Sequence, residues 1–203
     1  MAVKDPPAAR PEPTYAIAEL FPPQGQWTEA EYLALETNRI VELSNGRLEV
    51  LDMPNDLHQL ILKRLCWLID MFVVRAQLGR IRFAPLRVRL WPGKMREPDL
   101  VFMAAAHVDR CGSQYWGAPD LVAEVLSPSD ADLDRIIKMQ EYAQAGIPEY
   151  WIVDPENKKI EVYVLPAGAS EYQLNRMAGV GDTLTSTQLP GLQLVLAELF
   201  AEE

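Results

Sequence analysis

The spacing of apolar and polar residues changes several times along the chain, and each change marks an element. Thr28-Glu29-Ala30-Glu31 reads as a capping box, in which the threonine and the second glutamate satisfy each other's backbone N–H groups, so a short helix is predicted through Glu36. Two alternating runs, Arg39 to Leu43 and Arg47 to Leu51, flank Ser44-Asn45-Gly46. Asn-Gly tolerates positive φ at both positions, so a hairpin is predicted there. Pro54-Asn55-Asp56 caps a long helix through about Leu78, with Leu57, Ile61, Leu65, Leu68 and Phe72 along one side and Gly79 as its stop.

Strands follow around 80–90, 98–103 and 120–126, then a second helix from about Ala131 to Ala145, closed by Gly146 and Pro148. Tyr150 to Val153 is a buried strand ending in the turn Asp154-Pro155-Glu156-Asn157. Lys159 to Leu165 and Tyr172 to Met177 read as further antiparallel strands, and Leu192 to Phe200 as a short strand or helix packing back. No internal repeat and no second core interrupts this order. It predicts an α/β domain of α+β character, a mixed sheet flanked by helices, over residues 27–203. Residues 1–26 hold six of the 16 prolines and little periodicity, and read as a flexible arm.

With 203 residues, 49% of them hydrophobic and 24% charged, the chain can bury one sizeable core. No apolar run approaches the ~20 residues that span a bilayer. The richest stretch, Leu57 to Val74, is broken by Lys63, Arg64 and Asp70. The start of the chain lacks the order of a signal peptide, and Cys66 and Cys111 have no metal-ligand spacing, so free thiols in a reducing cytoplasm are expected. A net charge of −10 disfavours passive binding to a polyanion. From Arg75 to Arg96, however, there are seven basic residues and no acidic one. Within that run Arg80, Arg82, Arg87 and Arg89 alternate with apolar residues, which predicts one basic strand face. That face is either a stripe tracking phosphates or a solvated surface balanced by acidic neighbours.

Two acids sit inside apolar strand-like runs, Asp99 in Pro98-Asp99-Leu100-Val101-Phe102-Met103 and Glu124 in Asp120-Leu121-Val122-Ala123-Glu124-Val125-Leu126. An unpaired buried carboxylate costs on the order of several kcal/mol, so each must pair, take up a proton or coordinate a cation. Held on consecutive strands, the two could bind Mg²⁺ or Mn²⁺, with water completing the shell. A structural ion pair is the alternative for either one alone.

The pieces Val41-Glu42-Leu43-Ser44-Asn45-Gly46, Glu97-Pro98-Asp99-Leu100-Val101, Leu121 to Ser129, Asp134-x-x-x-Lys138 and Tyr142-Ala143-x-x-Gly146-Ile147-Pro148-Glu149-Tyr150-Trp151-Ile152-Val153-Asp154-Pro155 occur in that order. Together they resemble a large bacterial restriction endonuclease family of the PD-(D/E)XK superfamily. The resemblance implies a restriction-endonuclease-like core, a divalent metal (Mg²⁺ or Mn²⁺) and hydrolysis of phosphodiester bonds. It makes Asp99 and Glu124 the motif acids and Glu42 a third carboxylate, all three metal ligands. The superfamily lysine belongs two residues past Glu124, where this chain has Leu126; the family offers Lys138 on the next helix instead. His58 is an auxiliary candidate near the acids, with a structural role as its alternative. His107 and Cys111 fall in a loop with no evident partner, and Tyr150 and Trp151 read as core.

The leading expectation is therefore a metal-dependent endonuclease whose partner is nucleic acid, DNA ahead of RNA, approached along Arg80, Arg82, Arg87 and Arg89. A nuclease fold kept for binding or regulation without turnover is the alternative, favoured by the acidic charge and by Leu126. A hydrolase of other phosphate esters is a third reading. A homodimer stays open beside a monomer, and no membrane is implicated.

Overall fold

The structure, a computed structural model, describes residues 21–127 and 131–201; residues 1–20 of the proline-rich segment lie outside the described residues. Residues 24–27 are tied to the first hairpin, with the Gly25 and Trp27 N–H groups both donating to the Gly46 carbonyl (2.7 and 3.0 Å). Thr28 closes its capping box with Glu31, and helix α1 spans Glu29–Leu33, shorter than predicted. Strands β1 (Val41–Ser44) and β2 (Arg47–Val50) meet at Asn45 and Gly46, which take φ of 50° and 76° as the Asn-Gly turn demands.

Asn55 caps helix α2 (Asp56–Ala76) by accepting from the His58 N–H at 2.9 Å. Its buried stripe is His58, Ile61, Leu62, Leu65, Ile69 and Val73. That stripe is centred further round the helix than predicted: Leu57 is exposed, and Leu68 and Phe72 lie at its margin. The helix stops at Gln77, in the left-handed conformation, rather than at Gly79. Gly79 serves a different need. A Cβ there would stand 2.0 Å from the Met103 carbonyl oxygen, so only glycine lets the next strand approach its neighbour.

The predicted strand 80–90 is two strands, β3 (Gly79–Phe83) and β4 (Val88–Trp91), in different sheets. Pro85 falls between them and has no N–H to donate to a ladder. An additional strand, β5 (Lys94–Arg96), follows, then β6 (Leu100–Ala104), a 3₁₀ turn (Ala105–Arg110) and β7 (Leu121–Val125). The second helix opens with a π-helical segment, Leu133–Lys138, before α3 (Met139–Gln144), where a regular α-helix was predicted. Strands β8 (Glu149–Asp154), β9 (Lys159–Val164) and β10 (Gln173–Gly179) come next. The chain ends in β11 (Thr183–Leu184), β12 (Leu194–Val195) and α4 (Leu196–Leu199).

The central sheet has the order β10-β9-β8-β7-β6-β3, antiparallel except for β7 and β8, which run parallel across the crossover through α3. A four-stranded antiparallel sheet, β2-β1-β5-β4, stands beside it. Alternation along β6 and β7 sorts the core. Leu100, Phe102, Leu121, Ala123 and Val125 face α2 and the C-terminal segment, whereas Val101, Met103 and Val122 face Tyr142 of α3. A third cluster packs Trp27 and Tyr32 on Val41, Leu43 and Met95.

Gly79→Ala should destabilise the protein by about 1–3 kcal/mol, because the new methyl group collides with backbone that flexible side chains cannot relieve. Urea unfolding measures this directly, and an unchanged midpoint would show that β3 can shift off β6 without loss.

Candidate active site

The β6–β7 register places the acids. Leu100 pairs with Ala123, so one position further out Asp99 stands opposite Glu124, on the face shared by Val101 and Val122. The Asp99 N–H donates to Glu124 Oε2 at 3.2 Å, and the Val125 N–H donates to Asp99 Oδ2 at 2.8 Å, so each strand holds the other's carboxylate. The His58 imidazole, from the first turn of α2, lies with Nε2 3.0 Å from Asp99 Oδ2.

Lys138 reaches the other acid from the π-helical segment. Its Nζ is 3.1 Å from Glu124 Oε1 and 2.9 Å from Asp134 Oδ1, and the Tyr142 hydroxyl donates to Glu124 Oε1 at 2.6 Å. Asp134, Lys138 and Tyr142 step along the helical run at intervals of four residues, which turns all three toward Glu124. The Tyr150 hydroxyl donates to the Asp134 carbonyl (3.1 Å), pinning the segment to the sheet. π-helical turns occur often at functional sites.

Burial raises the Glu124 carboxyl, and the charges of Asp134 and Asp99 add to that effect while Lys138 opposes it. Burial also works against the Lys138 ammonium, but Glu124, Asp134 and their acidic neighbours outweigh it and hold the proton well above the usual lysine range. His58 follows the same logic: burial disfavours its cation, Asp99 and Asp134 favour it, and the net shift is upward. These groups line a cavity of about 690 Å³, walled also by Arg39, Asp52, Met53, Pro85 and Glu97.

Glu42 is not brought into this cavity. Its fully buried carboxylate is held by the Arg96 guanidinium and by the Glu97 N–H (2.9 Å). Arg96 also bonds Glu49 (2.6 Å) and Glu141 of α3 (2.7 and 3.0 Å), and Lys94 pairs with Glu141 at 2.5 Å. Among the described residues no three His, Cys, Asp or Glu side chains form a group that could hold a metal ion. The donor set that remains, Asp99 and Glu124, is hard carboxylate oxygen. It fits Mg²⁺ or Mn²⁺ in the mode that uses one or two carboxylates and leaves the other positions to water and substrate oxygens.

The predicted arginine stripe is not continuous, because β3 and β4 belong to different sheets. Arg80 and Arg82 are exposed on β3, with Arg82 over the Trp116 ring. Arg87 turns inward onto Tyr32 and donates to the Leu33 and Leu35 carbonyls, and Arg89 pairs with Glu29. None of the four lines the cavity. His107 does have a partner, Asp120, at 2.7 Å. Trp151 and Tyr150 are fully buried, as predicted. Sequence reasoning missed Tyr142, Glu97 and Arg39 at the site. The spacing of four from Lys138 to Tyr142 was a usable signal; nothing local marked the other two.

The central mixed sheet, its flanking helices and the paired acids define a restriction-endonuclease-like fold. A crystal structure of a putative nuclease belonging to DUF820 from Anabaena variabilis superposes with a TM-score of 0.70 at 22% identity, over 86% of this chain and 98% of that one. The model of the family Uma2, described as "Putative restriction endonuclease", matches residues 29–197, and the chain belongs to that family. No curated protein matches the sequence. Among the described residues no helix is long and apolar enough to cross a membrane.

The Arg96–Glu141 clamp has a pH signature. Burial would raise the Glu141 carboxyl, but hydrogen bonds from Arg96 and Lys94 outweigh it and hold its pKa below the ordinary 4.5. A depressed carboxylate contributes stability above its unfolded pKa and loses it as pH falls through the folded one. Glu141→Gln should therefore cost most stability at neutral pH, and its gap from the wild type should close as pH drops below 4.5. Urea midpoints across pH test this; a gap that stays constant would mean the clamp acts through packing alone.

Proposed function

We propose that this protein is a divalent-metal-dependent nuclease that hydrolyses phosphodiester bonds of nucleic acid, DNA ahead of RNA. The observation that carries the reading is the meeting of Asp99 and Glu124 across β6 and β7, with the Lys138 ammonium 3.1 Å from Glu124 at the wall of an open cavity. The description of the family as restriction endonucleases, and of the Anabaena protein as a nuclease, supports nucleic acid as the substrate.

Asp99 and Glu124 would hold the cation, which when bound supplies positive charge to a phosphoryl oxygen and acidifies water. The chain's own groups do the rest. The backbone N–H of Val125 and the imidazole of His58 fix the Asp99 carboxylate, and the Tyr142 hydroxyl fixes that of Glu124. Lys138 fills the space of the superfamily lysine from a different element; its ammonium orients the attacking water and stabilises charge that grows on the phosphate. The water oxygen bonds to phosphorus as the bond to the leaving sugar oxygen breaks, and the water proton passes to solvent while solvent protonates that oxygen. Glu42 acts at one remove, since its carboxylate fixes the Glu97 N–H two residues before Asp99.

A second reading, a nuclease fold retained for binding, draws on one feature. Each acid already has a basic side chain of the chain's own beside it, His58 on Asp99 and Lys138 on Glu124. One experiment separates the two. The protein is incubated with single- and double-stranded DNA and RNA plus Mg²⁺ or Mn²⁺, beside Glu124→Gln and Lys138→Met checked for folding by circular dichroism. The nuclease reading expects cleavage by the wild type and losses of about 100-fold or more in both variants. Binding without cleavage under either metal would establish the second reading, and absence of both would end the two together.

A further inference from the structure

We propose that Arg39 anchors a backbone phosphate of the substrate strand, an inference that rests on the nuclease reading above. Among the described residues three basic side chains line the cavity: Arg39, His58 and Lys138. Two are committed, His58 to Asp99 and Lys138 to Glu124 and Asp134. Arg39 is exposed, and among the described residues its guanidinium has no ion pair and no hydrogen bond. Five acids share the same wall, Asp52, Glu97, Asp99, Glu124 and Asp134. A polyanion entering this cavity therefore meets an excess of acidic side chains, and among the described residues that line it Arg39 is the cation left to receive it.

The backbone beneath that side chain is fixed. The Arg39 N–H donates to Thr37 Oγ1 at 3.1 Å, and the neighbouring Ile40 carbonyl accepts from the Leu51 N–H at 3.0 Å across the base of the β1–β2 hairpin. A guanidinium fork on a fixed stem can take a phosphate by two parallel hydrogen bonds, which a lysine cannot reproduce. The cavity, at about 690 Å³, lies in the range that holds small ligands and leaves room for a nucleotide-sized stretch of strand. The role that a strand-face stripe of Arg80, Arg82, Arg87 and Arg89 cannot fill, because none of them lines this cavity, passes to a single residue at the foot of the hairpin.

The test measures binding without turnover. The full chain carrying Glu124→Gln, with and without Arg39→Ala or Arg39→Lys, is titrated with a short fluorescein-labelled DNA oligonucleotide in Mg²⁺ at several salt concentrations. Arg39→Ala should weaken binding about tenfold. It should also flatten the plot of log affinity against log salt by about 0.7–0.9, the loss of one phosphate contact. Arg39→Lys should restore the slope but not the full affinity. Unchanged affinity and slope in Arg39→Ala would overturn the assignment and leave the nuclease reading intact. No binding by the Glu124→Gln protein, joined to no cleavage by the wild type, would overturn both.

Discussion

Glu124 is the constraint around which the rest is arranged. At 2% exposure on a central strand, its carboxylate would be intolerable without compensation, which β6 and the helical crossover supply. The antiparallel partner offers the Asp99 N–H, the helical crossover offers Lys138 and the Tyr142 hydroxyl, and the cavity side stays open. The crossover is forced by topology, since β7 and β8 run parallel and need a long connection. That connection passes over the face that carries Glu124. A lysine on it can therefore do from the helix what Leu126, placed after the strand, cannot.

The Arg96 clamp is the second dependency, and it ties the four-stranded sheet to helix α3. Its guanidinium joins Glu42 of β1, Glu49 of β2 and Glu141 of α3, all by hydrogen bonds. Removing any one acid leaves a buried charge with fewer partners, a loss larger than the intact pair is worth. Glu42 also binds the N–H of Glu97, so the strand that leads to Asp99 is held by the same network. The clamp thus holds the strand that leads to Asp99 without Glu42 itself reaching the cavity.

Much of this was legible in the chain. Turn chemistry located the first hairpin through Asn45 and Gly46, the capping box located α1 through Thr28 and Glu31, and periodicity located α2 and the main strands. Failures fell where tertiary partners override local pattern. Arg87 and Arg89 alternate like a solvent face, yet Tyr32 and Glu29 draw them inward, and Pro85 moves them to another sheet from Arg80 and Arg82. The long helix of residues 131–145 read as regular because a π-helical turn changes no residue type, only the hydrogen-bond span. Gly79 looked like a helix stop because its true neighbour, Met103, is distant in sequence.

The acids show most plainly what a pattern can and cannot carry. Glu149 and Asp120 lie within or beside apolar strands just as Asp99 and Glu124 do, and both are buried. Glu149 is filled by fixed donors, the Trp151 indole (2.6 Å) and the Thr187 and Gln188 N–H groups (2.7 and 3.2 Å). Asp120 likewise takes the Ala104 N–H (2.7 Å) and the His107 ring. Neither lines the cavity. Asp99 and Glu124 differ in two respects: they face each other, and their compensating groups include a lysine and a histidine at an open wall. Burial of an acid in a strand only says that something must satisfy it. What sets Asp99 and Glu124 apart, each facing the other with a basic side chain beside it at an open wall, lies in the register of β6 on β7 and in the helices that flank it.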